Sequence, residues 1–227
     1  MSENMVRYEM RGDIAVMTFD DGKANALSPV SLAALGEALE RAESEARCLL
    51  WLGRPGRFCA GFDLSVMKQG GEAVTNLVRS GAELAIRVYA SPIPILMGVT
   101  GHALAMGAIL LMAADRRIAT EGEFKIGLNE VAIGMTLPKF GIEFARERLS
   151  PLHLGRSVAN SELYSPAAAT EVGYIDRVVS ASEFADAAME EAGTLAALDP
   201  RAHRYTKESL RKDALARIRG ALSEFGA

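Results

Sequence analysis

The sequence predicts an α/β fold, and three observations carry that expectation. Short apolar runs alternate with segments whose apolar residues recur at helical spacing, as in a sheet with covering helices. Beyond residue 165 the pattern becomes mainly helical. The 227 residues are 49% hydrophobic and 24% charged, which suits a soluble globular chain long enough to bury a full core.

Residues 5–9 and 14–19 read as strands joined by a hairpin at Arg11-Gly12-Asp13. A loop over 20–25 follows, and Ser28 caps a helix with Pro29 in its first turn. Leu32, Leu35, Ala38, Leu39 and Ala42 give that helix its apolar stripe. Residues 49–52 read as a central strand and 53–56 as a turn, with a second amphipathic helix over 73–89. The uncharged stretch 92–114 is long enough to span a bilayer, but Pro92, Pro94, Gly98, Gly101 and Gly107 divide it. It reads better as a buried strand 93–99, a loop 100–105 and a buried helix 106–114, so no membrane insertion is expected. Strands at 117–119 and 124–126 come next, and Pro138, Pro151 and Pro166 each open a helix. A late strand over 175–179 and helices over 183–197 and 200–222 complete the chain. The expected organisation is a core over 1–165 and a helical region over 166–227, whose Ala-rich and Leu-rich faces call for a subunit interface.

Several function classes lack their marks. Net charge is −4 and no basic run exceeds a pair, which argues against nucleic acid as a partner. Cys48 and Cys59 are the only cysteines and form no CxxC, so a reducing cytoplasm fits best. The opening Met1-Ser2-Glu3-Asn4 lacks the basic-then-apolar pattern of a secretory leader. His153 and His203 have no metal-ligand spacing, and no metal is expected. GxSxG, GxxxxGK[ST] and GxGxxG patterns do not occur.

Three segments carry the chemistry. Phe58-Cys59-Ala60-Gly61-Phe62-Asp63-Leu64 and Gly101-His102-Ala103-Leu104-Ala105-Met106-Gly107 each place small residues where the chain turns out of an apolar stretch. Read plainly, these are a turn after a strand and a loop before a buried helix. Read for function, each aims a backbone N–H at a ligand, and two converging donors make an oxyanion hole. The second would sit at a helix N-terminus, where the dipole favours negative charge. The third segment, residues 125–134, contains Glu130 among Leu128, Val131, Ala132 and Ile133. A glutamate is by default a surface residue, but uncharged neighbours suggest a half-buried carboxyl with a raised pKa, usable as a base near neutrality.

Together these segments resemble the crotonase (enoyl-CoA hydratase/isomerase) superfamily over nearly the whole chain. The resemblance implies a right-handed spiral of ββα units, with a C-terminal helical region that mediates assembly into a trimer or a dimer of trimers. It implies an acyl-CoA thioester substrate and no separate cofactor, because CoA arrives with the substrate. By resemblance the N–H groups of Ala60 and Met106 are the oxyanion donors and Glu130 is the acid/base. Ala24, Ala26, Phe62, Asp63, Leu64 and Ile109 line the substrate path, and Lys23 and Lys207 are candidates to meet the CoA phosphates. Hydratases of the family carry a second glutamate where this chain has Ile109. The run Ile126-Gly127-Leu128-Asn129-Glu130 is most similar to Δ3-Δ2-enoyl-CoA isomerases, which also have an aliphatic residue there. The implied reaction is therefore a 3-enoyl-CoA to 2-enoyl-CoA shift. A hydratase and a silent acyl-CoA-binding homologue are the alternatives.

Overall fold

The computed structural model describes residues 5–226, so the leader reading at residues 1–4 lies outside it. In chain order the strands are β1 (Val6–Arg11), β2 (Ile14–Phe19), β3 (Cys48–Leu52), β4 (Gly56–Cys59), β5 (Ile95–Val99), β6 (Gly101–Leu104), β7 (Arg116–Thr120), β8 (Ile126–Gly127) and β9 (Arg177–Val179). The helices are α1 (Pro29–Glu45), α2 (Leu64–Met67), α3 (Gly71–Ala90), α4 (Met106–Ala113), α5 (Lys139–Arg148), α6 (Pro151–Val158), α7 (Pro166–Val172), α8 (Phe184–Ala196) and α9 (Pro200–Ser223).

One sheet runs β1-β2-β3-β5-β7-β9, and a smaller one runs β4-β6-β8. Among the described strand pairs, β1–β2 is antiparallel and the rest are parallel. From β3 to β8 successive strands alternate between the sheets, so each small-sheet strand lies one connection away from the main sheet.

Burial of both faces explains why β2, β3 and β5 read as near-continuous apolar runs. One face, with Ala15, Met17, Leu49, Trp51, Ile95 and Met97, joins the core that includes α1, α3, α4 and α5. The opposite face, with Ile14, Val16, Cys48, Leu50, Leu96 and Ile118, is covered by Phe184, Ala187, Ala188 and Ala192 of α8. Local signals act as expected at α1, where Ser28 and Ser31 exchange capping bonds of 3.2 and 2.8 Å and Pro29 opens the first turn.

Three expectations change. The stretch 100–105 is not all loop: Gly101–Leu104 is a strand paired with the unforeseen strand Gly56–Cys59. Both are four residues long and glycine-bearing, so they lack the apolar alternation that marks a strand. The strand expected at 124–126 is Ile126–Gly127. Beyond residue 165, β9 pairs with β7 at the main sheet's edge and α8 packs on that sheet. Helix α9 lies along α3 and α5 of its own chain. Much of the apolar surface assigned to a subunit interface is thus covered within the chain. No described helix is long and apolar enough to cross a membrane.

Candidate active site

Parallel pairing of β4 with β6 ends both strands at one place, and each then turns sharply. After β4 come Ala60 and Gly61, the latter at φ +92°, a conformation costly for any residue with a Cβ. A methyl at Gly61 would stand 2.9 Å from Ala105 Cβ and 3.6 Å from Met106 N, so the two turns touch. After β6 comes Ala105, at φ +52° and ψ −121°. That is strained backbone for alanine, of order 1–3 kcal/mol, and it swings the chain directly into α4. Met106 is the first residue of α4, so its N–H has no partner within the helix. The Ala60 N–H reaches only the Asn25 carbonyl, at 3.4 Å, a long bond that leaves the donor weakly committed. Sequence reading paired these two donors across more than forty residues, and the fold brings the two turns that carry them together. Gly107 completes the approach: a methyl there would lie 2.4 Å from the Cys59 carbonyl oxygen.

A loop ahead of α1 forms the adjoining wall. The Asp21 carboxylate accepts the N–H groups of Lys23, Asn25 and Ala26 at 2.7, 2.8 and 3.0 Å, which rigidifies the turn. Asn25 is fully buried, and its amide donates to the carbonyls of Phe19, Arg57 and Phe58 at 2.7, 3.1 and 3.2 Å. Leu27 N–H then bonds Gly61 O, and Asp63 N–H bonds Leu27 O. Ala24 and Ala26 are thereby tied beside Ala60, Phe62, Asp63 and Leu64. Asp63 caps α2 through the Ser65 N–H at 2.7 Å, which lowers its pKa, and Lys23 adds to that effect from across the loop. Sequence reasoning passed over Asp21 and Asn25. The signal available was a loop aspartate four residues before an asparagine, a pattern suited to Asx turns.

Glu130 follows β8, whose Gly127 carbonyl takes the Ala105 N–H at 3.0 Å. The acid/base candidate therefore starts three residues from the oxyanion turn. Glu130 is 8% exposed, burial raises its pKa, and the N–H groups of Asn129 and Glu130 itself partly oppose that rise. Its Oε2 is buried and receives no hydrogen bond from the described protein groups. The burial has in part a different cause from the one expected. Leu128 is buried as expected, but Val131 and Ile133 are 45% and 56% exposed and point away. Tyr164 and Tyr174, both buried, close the rest of the space around the 126–130 segment.

Ile109, one turn into α4, is 2% exposed, and a methyl at Gly141 of α5 would come within 3.1 Å of its Cδ1. That position is apolar and dry.

Lys207 needs correction. Its ammonium is 6% exposed, pairs with Asp115 Oδ2 at 2.7 Å, and donates to Ile93 O at 3.3 Å. A charge committed in this way does not reach a phosphate in solvent. Lys23 is exposed. His102 is a packing residue: its Nδ1 accepts the Lys125 N–H at 3.1 Å and its ring meets Phe124 edge-on. Cys59 borders the site, but burial pushes its thiol up to about 12, so it is no nucleophile near neutrality.

Comparison with known proteins bears on the family and the fold. The family model for enoyl-CoA hydratase/isomerase matches residues 9–222. A solved enoyl-CoA hydratase/isomerase family protein from Pseudomonas syringae superposes with a TM-score of 0.96 at 41% identity, covering 99% of this chain and 97% of that one. The human mitochondrial enoyl-CoA delta isomerase 1 is 27% identical over 219 residues, 94% of this chain and 72% of its own length. A probable enoyl-CoA hydratase from Rhodobacter capsulatus is 36% identical over 123 residues, 53% of this chain and 48% of its own.

Proposed function

The chain belongs to the enoyl-CoA hydratase/isomerase family and has the crotonase fold, and from that premise we propose that it is an enoyl-CoA isomerase acting on 3-enoyl-CoA. The observation that carries this reading is Ile109. With an aliphatic side chain buried at that turn of α4, and Asp21 and Asp63 committed to backbone N–H groups, Glu130 is the carboxylate left for proton transfer. A double-bond shift needs only one base. Glu130 accepts a proton from C2, and the electrons of that C–H bond move into the thioester to form an enolate. The oxyanion lies between the N–H groups of Ala60 and Met106, where fixed donors stabilise charge as it develops. Glu130 then returns the proton to C4, the C3–C4 double bond becomes C2–C3, and the thioester carbonyl reforms. The step balances without a separate cofactor, since CoA enters as part of the substrate. Hydration instead has to activate a water and deliver a proton, tasks better divided between two groups.

Ala24, Ala26, Phe62, Asp63 and Leu64 are assigned to the CoA path, with Lys23 as the cation at its mouth. Assembly as a trimer or dimer of trimers would cover the exposed Val131, Ile133 and Met135 that follow Glu130, and Leu152 on α6. The unpaired buried cysteines suit a cytoplasmic setting.

The relatives' names include both isomerase and hydratase, so the reaction is tested directly. Purified protein is assayed with trans-3-hexenoyl-CoA for isomerisation and with crotonyl-CoA for 3-hydroxyacyl-CoA formation. Isomerisation much faster than hydration is expected. Hydration as fast as isomerisation sinks the reading in favour of a hydratase, and no turnover of either points to a silent acyl-CoA-binding homologue.

A further inference from the structure

Behind Glu130 lies a buried group of hydroxyls that the reaction above does not use. Tyr164 pairs with Ile126 through two backbone bonds of 2.9 and 3.0 Å, which places it beside the strand that leads to Glu130. Its Oη is 3.1 Å from Ser157 Oγ of α6, and its ring centroid is 6.1 Å from that of Tyr174. Ser161, from the same turn, accepts the Ala132 N–H at 3.1 Å and holds the far side of the Glu130 segment. Tyr174 is fully buried, and its hydroxyl completes no hydrogen bond with the described residues. Asn129 Oδ1 and Glu130 Oε2 are orphaned in the same way. A phenylalanine at 174 would fill the space without desolvating a hydroxyl, and buried polar groups without partners are rare and costly. The Glu130 charge is close enough to raise the Tyr174 pKa along with burial, and the Ser157 hydroxyl and the Leu128 backbone adjoin the same phenol.

We propose that Tyr174 is a positioning residue for Glu130: its hydroxyl, supported by Ser157 and Tyr164, engages carboxylate Oε2 through one water and leaves Oε1 for the substrate. The inference rests on Glu130 being the base. An otherwise free carboxylate has two equivalent oxygens and a rotatable torsion. A donor on one oxygen fixes the plane in which the other meets C2 and C4. A hydrogen bond to the charged form also favours that form, so the phenol tempers the rise in pKa that burial imposes. The titratable groups facing this pocket are Tyr174, Tyr164 and His153 of α6, whose ring lies edge-on to Tyr164. Glu130 forms no ion pair among the described residues.

The test is kcat and KM as functions of pH for wild type, Tyr174→Phe and Ser157→Ala, with trans-3-hexenoyl-CoA. A hydrogen bond to a charged group is lost in Tyr174→Phe, so kcat should fall by about tenfold or more with KM little changed. The acid limb of the kcat/KM profile should move to higher pH, because Glu130 loses a donor to its ionised form. Ser157→Ala should shift the limb the same way and by less. An acid limb unmoved in both variants makes Tyr174 a packing residue and overturns the proposal. If Tyr174→Phe does not fold, Ser157→Ala decides: a shifted limb supports the proposal and an unshifted one overturns it. A wild type that hydrates crotonyl-CoA instead defeats the isomerase reading alone, since the same limb can be read on hydration. Undiminished turnover in Glu130→Gln defeats both.

Discussion

Asp115 and Glu130 are both carboxylates set against apolar packing, and the fold treats them in opposite ways. Asp115, just after α4, accepts Lys207 Nζ at 2.7 Å, Arg211 at 3.0 Å and the Ile95 N–H at 2.8 Å. Those contacts pin α9 to the start of β5 and the end of α4. Among the described residues Glu130 has no ion pair, and its Oε2 has no donor. Saturating a buried charge fixes structure. Leaving one without a counter-charge raises its affinity for a proton and makes the neutral form easier to reach.

The largest expected effect is on Glu130. Glu130→Gln should lower turnover by ~10²–10⁴-fold, the usual loss with a general base, while acyl-CoA binding persists. Wild-type-like turnover would remove Glu130 from the mechanism. Stability should move the other way. Burial holds the folded-state pKa of Glu130 above its ordinary value. The group's contribution to stability is therefore fully present below the ordinary glutamate range and is lost as pH rises through the folded pKa. Thermal unfolding should show the Gln variant gaining on wild type as pH rises, with no gain at low pH. Wild-type kcat/KM should fall as pH drops through the same raised pKa, since a protonated carboxyl accepts nothing.

Asp115→Ala should do the reverse. It strands Lys207 and Arg211 without their anion, and breaking a buried pair in this way costs about 3–5 kcal/mol in denaturant unfolding. The remaining folded protein should keep its KM. A loss under about 1 kcal/mol would class the cluster with exposed ion pairs and blur the contrast.

Ile109→Glu tests whether the unsaturated site can hold a second carboxylate. The new group would be buried near Gly141 with no partner, so stability should fall by several kcal/mol while some hydration of crotonyl-CoA appears. A stable variant with no new activity would mean that residue 109 faces α5 rather than the substrate.

Ala105→Gly should have the smallest effect. Relief of a positive φ, less the added freedom of glycine in the unfolded chain, should raise stability by about 1 kcal/mol. Turnover within a few-fold of wild type would show that the oxyanion turn is held by its surroundings. A large fall would show that the Ala105 Cβ, packed by Gly61, sets the aim of Met106 N–H.

How much of this could be read beforehand depended on the range of each interaction. Gly61, Ala60 and the 101–107 turn were legible because a sharp exit from a strand needs small residues locally. Glu130 was legible as a buried carboxyl, but only partly for the right reason: Leu128 is buried, while Val131 and Ile133 point outward and the remaining walls include Tyr164 and Tyr174. Strands β4 and β6 escaped notice because four glycine-bearing residues show no period, and their pairing is mutual rather than with the main sheet. Lys207 was misread for the simplest reason. Nothing beside it in sequence shows that its partner is Asp115, 92 positions earlier.

The late arrival of β9 and α8 also bears on how the chain is made. The sheet face formed by Ile14, Val16, Cys48, Leu50, Leu96 and Ile118 is covered by residues from Phe184 onward. A ribosome-bound chain that has laid down β1 to β7 therefore displays a naked apolar plate with an unfilled edge at β7, until the segment with β9 and α8 has left the exit tunnel. Parallel pairing between distant strands is slow to form and prone to association while it waits. Truncated synthesis products of this chain should consequently be sticky species that recruit holdase chaperones, and the final quarter of the polypeptide acts as an internal escort for the three quarters made before it.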